Sequence, residues 1–332
     1  KKRLLNGIKP AVTNLCKPVA IPRTKIEPSG MFPTGNISVE RFDLVHPLLQ
    51  GNKWFKLKLN IMKCLEEGRD TVLSFGGAYS NHIHALSATG KLAGINTIGV
   101  TRGEKTNPLN HTLNDASRFG MKLHFVSRTE YRRRYSPGYI NELHDLFGDF
   151  YFVPEGGSNL LGYYGAAEML PDDAGEFTHI IMATGSGGTI GGNILAAIKQ
   201  GVRGTRILSV PVLKDHEYVI EVVRSFLLTE GIDCSKCLEV MPGYHHGGYA
   251  KFSEELINFI KDFQVRYHIP IDPVYTGKVL FAVSDLSKKA YFNSDDRILV
   301  YHTGGTQGMN GFIERYPKYS FLSHEAISTG QV

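Results

Sequence analysis

The sequence contains few cysteines and no long uninterrupted run of apolar residues. Four cysteines in 332 residues are too few for the disulfide framework of a small secreted scaffold. No apolar run reaches the roughly 18 to 20 residues of a membrane-spanning helix. The basic start of the chain is followed by proline and polar residues instead of the apolar core of a signal peptide. We therefore expect a cytoplasmic protein that does not enter a membrane.

A strong excess of one charge is also missing. The formal net charge is +5, and its densest point, Arg132–Arg134, has no surrounding stripe of basic and aromatic residues. Cys234 and Cys237 have Cys-x-x-Cys spacing, but no second cysteine pair or His-x-His partner lies nearby, so a surface turn is favoured over a zinc site. We expect neither nucleic acid nor metal among the partners.

What the sequence does contain is an alternation of short β-branched segments with amphipathic helical patterns. Residues 1–36 form an exception, because they are rich in Pro, Lys and Gly and predict an irregular N-terminal segment. The predicted strands are 71–75, 96–101, 122–127, 178–183, 206–210 and 297–302. Strand, turn, helix and strand repeated in this way predict an α/β protein with parallel sheets and helices on both faces.

A glycine-rich loop follows the predicted strand 178–183. The segment TGSGGTIGGN, 184–193, has five glycines in ten residues, which lets backbone amides approach an anion at the start of the next helix. This pattern favours a phosphate site. It overlaps with dinucleotide-binding patterns, but the following strand lacks the acidic residue that would hold a ribose, and the loop lacks the lysine of a nucleoside-triphosphate site.

Two other strand ends carry polar side chains. Ser80, Asn81 and His82 follow two glycines after strand 71–75, and by pattern alone a helix cap and a functional group are equally good explanations. Strand 297–302 is followed by TGGTQGMNG, where two glycines again suggest close approach of backbone to a ligand. The segment DPVYTGK, 272–278, offers a tyrosine and a threonine before another helix.

Taken in order, the motifs GNKWFK, GGAYSNH, TGSGGTIGG, PVYTGK and HTGG resemble those of fold type II pyridoxal-phosphate enzymes. Within these enzymes, the sequence resembles the branch that contains D-cysteine desulfhydrases and 1-aminocyclopropane-1-carboxylate deaminases. The resemblance runs from about residue 36 to about residue 312. It implies two α/β domains like those of the tryptophan synthase β subunit, with open, twisted, parallel-rich sheets and the cofactor in a cleft. The large cofactor-binding domain is expected at 1–56 and 155–332, the small inserted domain at 57–154, and the assembly is expected to be a homodimer.

The resemblance also assigns roles residue by residue. Lys53 matches the lysine that holds pyridoxal 5'-phosphate covalently, in a turn expected to precede a helix, while Lys56 and Lys58 are interpreted as a solvated helix face. The expected catalytic residues are Lys53, Ser80 and Tyr275. Contacts to the cofactor are expected from Lys53, Asn81, His82, Gly185, Ser186, Gly187, Gly188, Thr189, Thr276 and Thr303. Contacts to the substrate are expected from Ser80, Asn81, His82, Tyr244 and Tyr275.

Two positions distinguish the branches. Ring-opening deaminases have a glutamate that reaches the pyridine nitrogen where this sequence has Thr276, and a leucine where it has Thr303. A hydroxyl cannot stabilise a protonated ring nitrogen as a carboxylate does, which suits loss of a good β-leaving group. We therefore expect α,β-elimination from a small amino acid, foremost D-cysteine, giving pyruvate, hydrogen sulfide and ammonia. The alternatives are a 1-aminocyclopropane-1-carboxylate deaminase, a dinucleotide-binding oxidoreductase without pyridoxal phosphate, and a non-catalytic cofactor-binding protein.

Overall fold

The structure, a computed structural model, describes residues 12, 15, 17, 19–234 and 238–323. The expected turn at Cys234 to Cys237 therefore lies partly outside the described residues, as does much of the irregular segment predicted at 1–36. The chain divides into two compact units. We call 53–165, together with the N-terminal residues up to 19, the inserted unit, and 20–52 with 166–332 the main unit.

The strands of the described ranges follow the predicted alternation. They are β1 (Arg23–Ile26), β2 (Asn36–Arg41), β3 (Thr71–Gly77), β4 (Asn96–Arg102), β5 (Lys122–Val126), β6 (Tyr151–Val153), β7 (His179–Thr184), β8 (Arg206–Pro211), β9 (Glu239–Val240) and β10 (Arg297–His302). All six predicted strands are present to within one or two residues at most ends. The α/β prediction is confirmed.

The helices lie between these strands. They are α1 (Asn52–Glu66), α2 (Asn81–Ala93), α3 (His111–Arg118), α4 (Arg128–Arg132), α5 (Pro137–Phe147), α6 (Leu160–Ala167), α7 (Gly188–Lys199), α8 (His216–Thr229), α9 (Glu254–Tyr267), α10 (Thr276–Lys288) and α11 (Gly308–Arg315). Across the described ranges, no helix combines the length and apolar character needed to cross a membrane.

The main unit contains a six-stranded sheet in the order β1-β2-β10-β7-β8-β9, parallel except for β1. At its centre Val300 of β10 pairs with Val39 of β2 on one side and with Ile181 of β7 on the other. All three side chains are buried, and helices α9 and α10 pack apolar residues into the same core. The carboxyl ends of β2, β10 and β7 share one edge of the sheet, where parallel α/β sheets bind ligands.

The inserted unit contains a four-stranded parallel sheet in the order β5-β4-β3-β6. Its first core lies beneath α1 and α2, with Leu57, Ile61 and Ile83 fully buried. The opposite face of the sheet packs Phe75 against Tyr131 and other aromatic rings. Both faces are therefore covered, as expected of a parallel sheet.

The N-terminal region differs from the prediction in one respect. The stretch 1–36, predicted to be irregular, contains β1, which pairs antiparallel with β2 at the edge of the main sheet. The strand is only four residues long, carries Arg23 and Lys25, and lacks the apolar alternation from which strands are predicted. Val12 is buried with Leu57 in a core of the inserted unit.

Candidate active site

Lys53 is the second residue of α1, so it lies within the first helical turn and not in a turn before the helix. The prediction that Lys56 and Lys58 form a solvated face is wrong. Their exposed fractions are 1% and 7%. The error arose because basic residues are usually solvated, whereas the apolar residues Trp54, Phe55 and Leu57 place this part of α1 in the interior.

Burial changes the basicity of this helix. It lowers the pKa of Lys53 to about 8, partly opposed by the carboxylate of Glu155. Burial, reinforced by the charge of Lys53, lowers the pKa of Lys56 well below its ordinary value. Glu155 is itself paired with Arg134 at 3.1 Å. A substantial fraction of Lys53 is therefore neutral near pH 8, which is the form that can attack an aldehyde.

Lys56 is held by the loop that follows β6. Its Nζ lies 3.4 Å from the Ser158 hydroxyl, and a β-carbon at Gly157 would stand 3.2 Å from the Lys56 β-carbon. One helical turn later, Asn60 exchanges two side-chain hydrogen bonds with Asn159, of 3.2 and 2.7 Å. The loop thereby packs closely along one face of α1.

The start of α2 holds the second group of predicted residues. Ser80 is the N-cap of the helix, and its hydroxyl accepts from the Ile83 amide at 3.3 Å. A β-carbon at Gly76 would lie 2.7 Å from the Ser80 hydroxyl, so glycine is needed for the helix start to sit this close to β3. Asn81 is the first residue of the helix and is half-buried. The cap interpretation of Ser80 is correct, and it is compatible with a functional role.

His82 is buried and its tautomer follows from its partner. The Ser74 hydroxyl donates a hydrogen bond to the Val153 carbonyl at 2.7 Å, so it accepts one from Nε2–H of His82, 2.8 Å away. Nδ1 of His82 is then an acceptor, and among the described residues it has no hydrogen-bond partner. Burial, together with the charges of Lys53 and Lys56, holds the pKa of His82 well below its ordinary value. The imidazole is neutral.

The glycine-rich loop of the main unit connects β7 to α7. Gly187 has φ +78°, and a β-carbon there would lie 2.9 Å from Val223, so only glycine fits without strain. Helix α7 begins at Gly188, and its first amides have no partners within the helix. Gly185 and the exposed Ser186 complete the turn. The loop matches the predicted anion cradle in form.

Two further predicted residues, Thr189 and Thr303, are both bonded to Asn52, the first residue of α1. Asn52 donates through Nδ2 to the Thr189 hydroxyl at 2.8 Å and through its backbone amide to the Thr303 carbonyl at 3.2 Å. A β-carbon on Gly51, which has φ +73°, would lie 1.8 Å from that same carbonyl. Gly51 is therefore required for the turn before α1 to approach the loop after β10, and Asn52 is bonded both to that loop and to Thr189 of α7.

The start of α10 carries Thr276 and Tyr275. The Asp272 carboxylate accepts hydrogen bonds from the amides of Val274, Tyr275 and Thr276, at 2.7 to 3.0 Å, and so caps the helix. Thr276 is fully buried. Its hydroxyl has no hydrogen-bond partner within the described ranges, which is unusual for a buried polar group.

The two predicted tyrosines are placed differently. Tyr275 lies against the glycine-rich loop, since a β-carbon at Gly185 would be 3.5 Å from its ring. Its hydroxyl donates to that of Tyr249 at 3.4 Å, and the rings are 6.1 Å apart. Tyr244 instead donates to the Asp285 carboxylate at 2.6 Å. Burial, together with this carboxylate, raises the pKa of Tyr244. Tyr249, which was not predicted, is thus the tyrosine beside Tyr275.

The structure adds three residues to the predicted set. Lys56 could have been found from its position three residues after Lys53 on the same helix face. Asp272 could have been found as a cap four residues before Thr276. Lys278 is buried, and burial lowers its pKa to about 8 although the charge of Asp272 opposes that shift. It lies in the motif PVYTGK, but nothing in the sequence distinguishes it from a surface lysine.

The residues present fit pyridoxal phosphate. The glycine-rich loop and the first amides of α7 suit a phosphate. Lys53 has a lowered pKa, as an amine that binds an aldehyde requires. The Thr276 hydroxyl and Nδ1 of His82 are buried polar atoms that the described residues leave unpaired, as expected of groups that wait for a polar ligand.

Comparison with known proteins agrees with this chemistry. A family model described as "Pyridoxal-phosphate dependent enzyme" matches residues 43–304. A Thermotoga maritima protein, provisionally named 1-aminocyclopropane-1-carboxylate deaminase, is 32% identical over 293 residues, covering 82% of this chain and 90% of that protein. The mitochondrial bifunctional D-cysteine desulfhydrase/1-aminocyclopropane-1-carboxylate deaminase of Arabidopsis thaliana is 28% identical, with 82% and 72% covered. The D-cysteine desulfhydrase of Yersinia enterocolitica is 26% identical, with 82% and 87% covered.

Solved structures show the same fold. The chain resembles the crystal structure of a 1-aminocyclopropane-1-carboxylate deaminase homologue with a TM-score of 0.75, covering 94% of this chain and 100% of that one at 24% identity. The diaminopropionate ammonia lyase of Escherichia coli gives a TM-score of 0.61 at 11% identity, with 95% and 91% covered. At these identities the likeness concerns the fold alone.

Proposed function

Because the chain belongs to the pyridoxal-phosphate dependent enzyme family, we propose that it catalyses α,β-elimination from a small amino acid and that D-cysteine is its preferred substrate. In this reaction D-cysteine and one water give pyruvate, hydrogen sulfide and ammonia. The cofactor of the family is pyridoxal phosphate, so the dinucleotide-dependent oxidoreductase considered from the glycine pattern is set aside.

The proposed cofactor contacts come from four segments of the chain. Lys53 would hold the cofactor covalently, and Asn81 and His82 would contact its ring. The glycine-rich loop would hold the phosphate, and the Thr276 hydroxyl would contact the ring nitrogen. These assignments are supported by the lowered pKa of Lys53, by the loop conformation and by the buried, unpaired polar atoms.

Bound pyridoxal phosphate supplies a sink for the electron pair left at the α-carbon when a proton is removed. The remaining work is done by side chains. We assign removal of that proton to the Lys53 amine, which would be free to act as a base once the amino group of the substrate has displaced it from the cofactor. The hydroxyls of Ser80 and Tyr275 are assigned to contacts with the substrate carboxylate and to proton transfer. His82, neutral and fixed by Ser74, acts as an acceptor at Nδ1.

Thr276 is the observation that carries the choice of substrate. It puts a neutral hydroxyl at the position where ring-opening deaminases have a glutamate. The closest carboxylate along the chain, Asp272, already accepts three backbone hydrogen bonds in capping α10. Without a carboxylate at position 276, the ring nitrogen would stay closer to neutral and the electron sink would be shallower. Loss of a thiolate from the β-carbon requires less electron withdrawal by the cofactor than cleavage of a strained carbon–carbon bond does.

The test is a substrate comparison with the purified, cofactor-loaded protein. Sulfide and pyruvate release would be measured with D-cysteine and L-cysteine, and 2-oxobutyrate release with 1-aminocyclopropane-1-carboxylate. We expect sulfide and pyruvate in equal amounts from D-cysteine, and at least tenfold lower kcat/KM for the cyclopropane. Turnover of the cyclopropane alone, as the name of the Thermotoga maritima relative suggests for that protein, would reject the argument from Thr276.

A further inference from the structure

His302 is the last residue of β10, and both nitrogens of its buried ring are bonded to backbone groups. Nε2 lies 2.6 Å from the carbonyl oxygen of Pro270, and the amide of Gly304 donates to Nδ1 at 3.2 Å. A carbonyl oxygen can only accept a hydrogen bond and an amide N–H can only donate one, so the ring proton is on Nε2. His302 is therefore the neutral Nε2–H tautomer.

The two backbone groups belong to different loops of the main unit. Gly304 follows Thr303 in the loop after β10. Pro270 comes two residues before Asp272, whose carboxylate accepts from the Thr276 amide at 3.0 Å at the start of α10. One buried ring thus joins the loop that carries Thr303 to the loop that leads to Thr276, and both threonines are proposed cofactor contacts.

A carboxylate lies beside this ring. Oδ1 of Asp43 is 3.6 Å from Nδ1 of His302, and both side chains are buried. In the Nε2–H tautomer, Nδ1 carries no proton and has nothing to donate to that oxygen. An unpaired carboxylate at this distance would favour a proton on Nδ1. A protonated Nδ1 could no longer accept the hydrogen bond from the Gly304 amide.

Arg41 neutralises this carboxylate. Its Nε donates to Oδ1 of Asp43 at 2.8 Å and its Nη2 donates to Oδ2 at 2.6 Å, so the pair has two charge-assisted hydrogen bonds. Arg41 of β2 is the register partner of His302 in β10, which puts the arginine on the same face of the sheet as the ring. The charge of Asp43 is thereby held by Arg41 and does not draw a proton onto His302.

We propose that the ion pair of Arg41 and Asp43 keeps His302 in its neutral Nε2–H tautomer, and that His302 is a positioning residue for the loops of Thr303 and Thr276. The ring acts through the two backbone groups to which it is bonded. Only the last step rests on the proposed function, because the cofactor contacts of the two threonines belong to it. The tautomer and the loop contacts do not depend on any substrate.

The first test determines the tautomer in the cofactor-free protein. Histidine rings would be labelled with nitrogen-15, and the signals of His302 would be assigned by their absence from a His302→Asn variant or by correlation to the backbone of His302. At neutral pH we expect the chemical shifts of a protonated Nε2 and an unprotonated Nδ1. The opposite tautomer, or a doubly protonated ring, would overturn the proposal.

The second test removes the counter-charge. In Arg41→Met, the unpaired carboxylate of Asp43 should draw a proton onto Nδ1, and the Gly304 amide should exchange hydrogen about three- to tenfold faster because it loses its acceptor. In Arg41→Met/Asp43→Asn the carboxylate is also removed, so the tautomer and the exchange rate of the wild type should return. An unchanged ring in Arg41→Met would overturn the role of the ion pair.

Arg23→Met is the matched control, because Arg23 also donates to a buried carboxylate of the same sheet, that of Glu40 in β2, at 2.6 Å. Successive side chains of a strand point to opposite faces, so Glu40 lies on the other face from Arg41 and His302. Arg23→Met should therefore lower stability and leave the ring of His302 unchanged. The same change of tautomer in both arginine variants would assign it to a loosened sheet and would overturn the proposal.

Two variants of His302 replace Arg41→Met if that variant does not fold. His302→Asn keeps an acceptor near the place of Nδ1, whereas His302→Leu has none. Only His302→Leu should therefore speed hydrogen exchange of the Gly304 amide. Equal exchange rates in the two variants would overturn the positioning role of His302.

Cofactor binding separates this proposal from the proposed function. Arg41→Met should weaken binding of pyridoxal phosphate, followed by its visible absorption, by about three- to tenfold, whereas Arg41→Met/Asp43→Asn and Arg23→Met should bind it like the wild type. Unchanged affinity in Arg41→Met, with a changed ring, would mean that His302 does not position the cofactor loops. If the wild type turns over none of the three amino acids, the proposed function fails, and the tautomer and the cofactor affinity still decide this proposal.

Discussion

At the scale of single residues, burial lowers the pKa of Lys53 and of Lys56 in α1. Lys53, Lys56 and Lys58 are interchangeable in the printed sequence, yet α1 buries the last two, and Lys53 has a pKa lowered to about 8. Burial penalises the charged form of an amine, so protonation of Lys53 occurs at lower pH than in the unfolded chain. The amine is therefore charged below about pH 8 and neutral above it.

The lowered pKa of Lys53 predicts a specific labelling profile. In the cofactor-free protein, the rate at which trace acetic anhydride modifies Lys53 should rise with pH and reach half of its maximum at about pH 8, because only the neutral amine reacts. Mass spectrometry of the peptide would give the rate. A Glu155→Gln variant should shift the midpoint to lower pH, since the opposing carboxylate charge is removed. A midpoint above pH 10 in the wild type would contradict the account.

Thr276 gives a second prediction at this scale. Thr276→Val keeps the shape but removes a buried hydroxyl that has no partner in the described part of the chain, so the cofactor-free protein should be equally stable or more stable by up to about 1 kcal/mol in urea unfolding. Elimination activity should nevertheless fall, because the proposed contact of the hydroxyl with the ring nitrogen is lost. Loss of more than 1 kcal/mol of stability would mean that the hydroxyl has a partner in the protein.

Thr276→Glu tests the direction of the same argument. A carboxylate at this position favours a protonated ring nitrogen. We expect slower elimination from D-cysteine, measured as sulfide release, with the cofactor still bound as judged by its visible absorption. Unchanged rates of sulfide release would show that the reasoning about the ring nitrogen is wrong.

At the scale of elements, glycines set how closely neighbouring segments pack. In the inserted unit, a β-carbon at Gly165 of α6 would stand 1.8 Å from the carbonyl oxygen of Phe55 in α1. The two helices can touch through their backbones only because this side chain is absent. That contact fixes the first turns of α1, on which Lys53 lies.

Replacing this glycine should therefore be costly. Gly165→Ala is expected to lower the free energy of unfolding by about 3 kcal/mol or more, since the obstructing atom belongs to a backbone. Gly138→Ala, also in a helix of the inserted unit but exposed and with open space around it, should raise that free energy by about 0.5–1 kcal/mol. Denaturant unfolding of both variants makes the comparison, and equal effects would show that the helix contact is not this close.

At the scale of the whole molecule, the alternation of strands and helices was predictable, because buried parallel strands such as 297–302 are short, β-branched runs bounded by turns. The edge strand β1 was not predictable, because a short charged strand forms by pairing with β2 and has no apolar alternation of its own. Limits of 57–154 for a small domain and assembly as a homodimer stay predictions.

Some residues of the candidate site could also be predicted from the sequence, and others could not. Gly51, Ser80 and the loop 184–193 were recognisable because turns, caps and close backbone approach demand particular residue types. The contact between Tyr249 and Tyr275 was not predictable, since it results from packing between segments distant in sequence. Five ordered motifs identified the family, and none of them contains Tyr249.

The central claim is that Lys53 alone holds the cofactor. The most direct measurement is borohydride reduction of the cofactor-loaded protein, followed by peptide mass spectrometry to find the lysine that carries the phosphopyridoxyl group. The account predicts modification of Lys53 and none of Lys56 or Lys58 on the same helix. Modification of either of those lysines in place of Lys53, or of no lysine in α1, would contradict it.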